Sequence, residues 1–175
     1  TGTGNTALGY FANKLNTTGT NNVSVGREAL EANTTGASNT AVGYQSLEAN
    51  STFGANNTAL GYQSLKANTS GYNNTALGVS SLLTNTTGAN NTAVGAAAGD
   101  AITTGGYNTA VGQSSLTALT TGGSNTTMGY ASGQGLTGAS SFNVAIGYET
   151  MLTSGEKSYN TAVGRSAGGA VTTGV

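Results

Sequence analysis

Asn57-Thr58-Ala59-Leu60-Gly61-Tyr62-Gln63-Ser64-Leu65-Lys66-Ala67-Asn68-Thr69-Ser70-Gly71-Tyr72-Asn73 is one complete copy of the unit from which this chain is built. Its opening phrase, Asn-Thr-Ala-Leu/Val-Gly in outline, returns ten times, beginning at Asn5, Asn22, Asn39, Asn57, Asn74, Asn91, Asn108, Asn125, Asn143 and Asn160. Successive copies lie 17 residues apart, except that Asn39 to Asn57 and Asn125 to Asn143 take 18. A fixed period this short marks a repeat architecture, in which one unit cannot bury its apolar face alone and stacking supplies the core. A helical hairpin repeat needs about 30 residues or more, and the Gly of every phrase would break a helix. Stacked β rungs fit the period.

The columns of the repeat sharpen this. The second position is Thr or Val, the third is small, and the fourth is Leu, Val, Ile or Met; Gly follows in every copy. A few β-branched or small residues ended by Gly predict a short strand and a bend. Four residues past that Gly stands a second apolar column: Leu30, Leu47, Leu65, Leu82, Leu116 and Met151. Then comes Asn-Thr-Thr-Gly or a relative, as at Asn33-Thr34-Thr35-Gly36, a second turn in which Gly supplies positive φ and Asn bonds its own backbone. One rung is thus expected to hold two short strands and two turns. The fold expected is all-β, a parallel β-solenoid of about ten 17-residue rungs forming a single repeat domain over 1–175, a segment of a longer fibre. Rungs about 4.8 Å apart would stack identical Asn and Thr residues into hydrogen-bonded ladders. The two longer rungs are expected to bulge near the second turn, where Phe53 and Phe142 stand. In the later rungs Ile102, Leu119, Leu136 and Val171 replace the turn Asn, which predicts a more apolar corner.

If positions two and four point into the rung, position three points out. The outward column would then be Ala7, Ala41, Ala59, Ala76, Ala93, Ala110, Ala145 and Ala162, a flat stripe suited to close packing between chains. Open strand edges on the first and last rungs would also promote pairing. Both features point to the chain itself as partner, in a homotrimer or a filament.

Two stretches carry a family resemblance. Asn143-Val144-Ala145-Ile146-Gly147 resembles the Asn-Ser-Val-Ala-Ile-Gly head repeat of trimeric autotransporter adhesins. The run from Asn57 to Gly71 is similar to repeats of phage tail-fibre-like proteins that often end in an endosialidase-type chaperone domain. The resemblance covers nearly the whole chain. It implies a left-handed parallel β-roll, trimeric, extracellular, on a cell surface or a virion; a cell-surface glycan or protein receptor is a candidate partner that the resemblance does not carry over. The chain departs from the adhesins in its longer period, and no neck, stalk, anchor or chaperone sequence is seen.

Composition narrows the chemistry. The 175 residues include no Cys, His, Pro or Trp, and only 5 Lys+Arg and 6 Asp+Glu, for a formal net charge of −1. No basic footprint for nucleic acid is present, no apolar run long enough for membrane insertion in this segment, and no basic and apolar leader. Without His or Cys, triad and thiol mechanisms are not available, so an enzyme is not expected, nor a cofactor. Asp100 is the lone aspartate; Glu31 and Glu48 share a column with Lys14 and Lys66 and read as a solvated, cross-rung charged edge. No Asp-rich calcium loop appears. Gly133-Gln134-Gly135-Leu136-Thr137-Gly138 matches the dinucleotide pattern G-x-G-x-x-G, but it falls at a rung turn with no helix to receive a pyrophosphate.

Three surface features remain candidates. Sequons recur once per rung at Asn16, Asn33, Asn50, Asn68 and Asn85; these are candidate glycan acceptors, or Asn ladders that need no modification. Tyr10, Tyr44, Tyr62, Tyr130 and Tyr148 follow the first Gly, either as a stripe that stacks on sugars or as a cover for the bend and a packing surface for neighbours. Thr-rich turns raise an ice-binding solenoid, against which stands the register: adjacent Thr residues face opposite sides, where a two-column array wants Thr-x-Thr. The sequence therefore points first to a structural or adhesive fibre segment. The alternatives are a self-assembling extracellular filament or sheath subunit and an ice-binding protein.

Overall fold

Every Asn-Thr-Ala-Leu/Val-Gly phrase forms one three-residue strand. The computed structural model describes residues 2–153, 155 and 157–169. In it β1 (Thr6–Leu8), β2 (Val23–Val25), β3 (Thr40–Val42), β4 (Thr58–Leu60), β5 (Thr75–Leu77), β6 (Thr92–Val94), β7 (Thr109–Val111), β8 (Thr126–Met128), β9 (Val144–Ile146) and β10 (Thr161–Val163) follow one another. They pair in chain order as one parallel ten-stranded sheet. Register is strict: Thr58 pairs Thr75, Ala59 pairs Ala76 and Leu60 pairs Leu77. The chain is a parallel β-solenoid with no helix among the described residues. Among the described residues no helix is long and apolar enough to cross a membrane.

The strand faces the other way from the sequence expectation. The small third residue points inward: Ala41, Ala59, Ala76, Ala93 and Ala145 are 0% exposed, Ala110 1% and Ala162 9%. Only Ala7, on the first strand, is exposed. The inter-chain packing column proposed for these alanines is thus corrected; it is core. The physical reason is width. A single 17-residue turn encloses a narrow interior already holding a Leu column and two Asn columns, and only a methyl fits opposite them. The branched residues at positions two and four go outward, leaving Leu8 68%, Leu60 49%, Met128 46% and Val163 65% exposed.

The second apolar column is fully buried, yet it is not a strand. Leu30, Leu47, Leu65, Leu82, Leu116 and Met151 sit at φ of 52, 50, 49, 48, 59 and 51°, in the left-handed region. The residue two before each is left-handed as well, as with Glu28 (61°) and Gln45 (54°). Left-handed backbone costs an L-residue about 1–2 kcal/mol, and burying a Leu returns about 1.5–3 kcal/mol, so packing wins. This segment still bonds between rungs, with the Leu30 N–H donating to Ser46 O at 3.0 Å and that of Leu47 to Ser64 O at 3.0 Å. Among the described residues no second strand accompanies it. Two isolated bridges, Leu119 with Gly138 and Leu136 with Gly155, are the trace of one in the later rungs.

The extra residue of the first long rung is at Phe53, which projects into solvent at 76% exposure. In the second long rung the extra residue lies just before Ser140: Asn125 reaches Ser140 O fifteen residues on, where its equivalents reach a Gly carbonyl fourteen on. Phe142 keeps a regular column position. Ile102, Leu119 and Leu136 are buried as expected; Val171 and Glu156 lie outside the described residues.

Candidate functional site: ladders on the solenoid surface

Two Asn ladders fix the corners of the rung. In the first, each strand-leading Asn accepts from the backbone N–H of its successor: Asn39 N–H donates to Asn22 Oδ1 at 2.9 Å and Asn74 N–H to Asn57 Oδ1 at 3.0 Å. Its amide donates to a Gly carbonyl across the turn, as from Asn74 Nδ2 to Gly88 O at 2.8 Å. The second ladder runs through Asn16, Asn33, Asn50, Asn68 and Asn85. Each Nδ2 donates to the preceding Oδ1, at 3.2, 2.9, 2.9 and 3.0 Å in order. Asn33, Asn50, Asn68 and Asn85 are 0% exposed, and the half-buried Asn16 donates to Gly19 O at 3.1 Å. An acceptor amide must be reachable and free, so these five are corrected from glycan acceptors to structural ladder. Asn56 and Asn73, which begin the further sequons Asn56-Asn57-Thr58 and Asn73-Asn74-Thr75, are exposed.

Thr hydroxyls of the same turn are also committed. Thr69 Oγ1 donates to Thr86 O, Thr86 to Thr103 O and Thr103 to Thr120 O, at 3.0, 3.1 and 3.0 Å. They are rung-to-rung ties rather than a free hydroxyl array.

The tyrosines after the first Gly form a self-stacking column. Tyr44 and Tyr62 stack at 5.5 Å, and Tyr130 and Tyr148 at 5.3 Å. Arg27 occupies the same column with its guanidinium 5.7 Å from both Tyr10 and Tyr44, and Arg165 lies 5.5 Å from Tyr148. These spacings match adjacent rungs and leave no room for a sugar between stacked neighbours.

Charges are grouped in the early rungs. Lys14 Nζ meets Glu31 at 3.3 Å, Lys66 Nζ meets Glu48 at 3.4 Å and Arg27 Nε meets Glu28 at 2.9 Å. Gln45 donates to Glu28 at 2.8 Å, and this bond leads the causes that hold the Glu28 carboxyl below its ordinary range. Carboxylate oxygens of Glu28, Glu31 and Glu48 come within 4.8 Å of one another. That is close enough to converge on one cation, but each is already countered by a cationic or amide neighbour. The arrangement is a cross-rung ion-pair ladder.

The G-x-G-x-x-G stretch is turned into the wall and core. Leu136 is 0% exposed, and the N–H groups of Gly133 and Gly135 donate to Thr150 O and Met151 O at 2.7 and 2.9 Å. None of those amides points to a phosphate.

What remains outward is the strand face, a Thr column and an aliphatic column side by side. Sequence reasoning placed it inside. The available signal was the uniform smallness of position three. Neither a family model, nor a curated protein, nor a solved structure matches the chain.

Proposed function

We propose that this chain is a rigid segment of an extracellular or virion fibre, in which copies associate along the outward Thr/aliphatic face. A repeat scaffold is what the fold provides; the exposed aliphatic ladder is the observation that carries the rest. Leu8, Leu60, Met128 and Val163 are 68, 49, 46 and 65% exposed on one continuous strip. Contiguous exposed apolar strips mark interaction surfaces. This one is uncharged and repeats every rung, so an identical strip is its natural complement, and a closed ring of three strips buries all of them about an axis. The role is passive: projection of a stiff rod carrying many equivalent surface contacts for a glycan or protein receptor, so that weak contacts add. Catalysis has no part in it.

Light scattering on the full chain tests the reading. The expected mass is three times the 17.0 kDa of one chain. Leu60→Glu with Leu77→Glu is expected to give a folded monomer. A wild-type monomer sinks the association, and an indefinite polymer favours the filament.

One observation supports a second reading. Thr occupies the outward second position in eight of the ten strands, beside the aliphatic column and on a flat sheet. Such a regular uncharged array could order water as an ice-binding face. Thermal hysteresis from a monomer would move the assignment there.

A further inference from the structure

The residue before each strand-leading Asn is held in left-handed backbone in all ten rungs. In seven it is Gly4, Asn21, Ser38, Asn56, Asn73, Asn90 or Ser124, small or polar residues, led by the Gly and Asn that suit such φ. In three it is Tyr107, Phe142 or Tyr159, at φ of 62, 59 and 63°. A bulky side chain there is strained. The left-handed leucines of the core are compensated by complete burial. These rings are not: Tyr107 is 69%, Phe142 53% and Tyr159 76% exposed. Strain without burial concentrates at ligand-contacting positions.

Two of these rings, Tyr107 and Phe142, edge an open groove. Tyr72, 48% exposed, stands on its far side. The floor between them is Ala89, Gly106 and Gly123, so the bottom is bare backbone, and Asn90 and Ser124 supply polar groups. Tyr159 stands one rung beyond and stacks on Phe142 at 5.0 Å and 8°, backing that ring from outside the groove. Between Tyr107 and Phe142 one rung carries only Ser124, so the two aromatic positions are two rungs, about 10 Å, apart. Rings stack at centroid distances of roughly 4.5–7 Å, so that gap admits one flat ring against both. No charged side chain lines the groove.

We infer that this groove binds a neutral carbohydrate, a pyranose oligosaccharide whose apolar ring faces lie on Tyr107 and Phe142, the latter held in place by Tyr159, while its hydroxyls meet Asn90, Ser124 and the glycine backbone. The absence of charge selects against sialylated and sulfated glycans. The inference rests on the adhesive side of the fibre reading, and the two fail separately: assembly mass tests the rod, ligand binding tests the groove.

The test is titration of the full chain with neutral oligomers of glucose, galactose, mannose and N-acetylglucosamine, and with sialylated and sulfated glycans, followed by tyrosine fluorescence and by saturation transfer to ligand ring protons. The comparison protein is the triple variant Tyr107→Asn, Phe142→Asn, Tyr159→Asn, which installs the residue other rungs use at this φ and therefore folds. A neutral oligosaccharide is expected to bind, and the variant to lose affinity by about tenfold or more with its melting temperature unchanged or raised. The proposal is overturned if no neutral oligomer binds, if acidic glycans bind better, or if the variant binds like the wild type. It is equally overturned if the variant changes assembly mass, because the column is then a contact between copies.

Discussion

Gly99 and Ile102 share one volume: a Cβ on Gly99 would lie 3.1 Å from Ile102 Cδ1. In the preceding rung the same two positions are Leu82 and Asn85, both fully buried. The large apolar group has moved from one side of the rung to the other. Gly133 with Leu136 repeats the glycine pairing, although the rung between buries both Leu116 and Leu119, and there the missing Cβ also admits Thr127, whose Cγ2 would come within 2.6 Å of it.

The exchange is a coupled one, and a double-mutant cycle reads it. Gly99→Leu overpacks the rung and is expected to cost about 1–3 kcal/mol. Ile102→Asn empties it and costs a similar amount. Together they restore the Leu–Asn rung, so the double variant is expected to be more stable than the sum of the singles by about 0.5–3 kcal/mol. Urea unfolding of the four proteins measures this; additive losses would show that the two sites do not share space.

The Asn-to-Ile step leaves a mark. Asn85 Oδ1 is buried with no hydrogen-bond partner, because its successor in the column has no amide. Asn85→Leu therefore trades one orphan for another, at Asn68 Oδ1. Asn50→Leu instead strands Asn33 Oδ1 within an intact ladder. The second is expected to be less stable than the first by about 1–3 kcal/mol. Equal chemical denaturation midpoints would argue that the ladder bonds contribute nothing in particular.

The orientation of the strand has a direct check. Ala76→Val places two methyls in a core with no space and is expected to cost about 1–3 kcal/mol, whereas Thr75→Val faces solvent and should leave the melting temperature nearly unchanged. The reverse ranking would put alanine back on the outside.

Asp100 gives a pH signature. Its carboxyl is half-buried, and desolvation pushes its pKa above the ordinary range against a smaller pull from the Ala101 and Asp100 backbone amides. The folded chain thus holds this proton more tightly than the unfolded one. The contribution to stability is present below the ordinary carboxyl range and is lost as pH rises through the raised value. Asp100→Asn is expected to raise the melting temperature near about pH 7 and to make little difference near about pH 3. A gain of the same size at both would assign the effect to something other than the charge.

Much of this was legible in the residues. All ten strands fall on the repeated phrase, and both Asn columns form the ladders their periodicity suggested. Strand facing was legible only in the uniform smallness of position three, because a three-residue strand alternates only once and a Thr-Ala-Leu triplet gives polarity no clear vote. Interior width decided it, and width is a property of the closed turn. The Leu column was placed correctly as core but given the wrong backbone, since left-handed leucine runs against local preference and is repaid only by burial that the stack creates. The Tyr107, Phe142 and Tyr159 column was missed. Its signal was present: aromatic residues interrupting a column otherwise made of Gly, Asn and Ser.

Strict register across every rung makes length a counted quantity. Each unit adds one step of about 4.8 Å, and excising a unit between Asn5 and Asn85 would join two identical cross-sections, so a shorter rod closes without a scar. That freedom stops at Ile102. From there on the rungs differ from one another: Gly99 with Ile102, Leu116 with Leu119 and Gly133 with Leu136 fill the same two positions in three different ways, and Thr127 bonds the Ser115 hydroxyl of the rung before it, 2.7 Å away. The chain thus has a stretch that recombination can lengthen or shorten and a stretch whose order is fixed, with the aromatic positions Tyr107, Phe142 and Tyr159 all lying in the second. Their spacing is preserved while the distance from them to the first rung is free to drift.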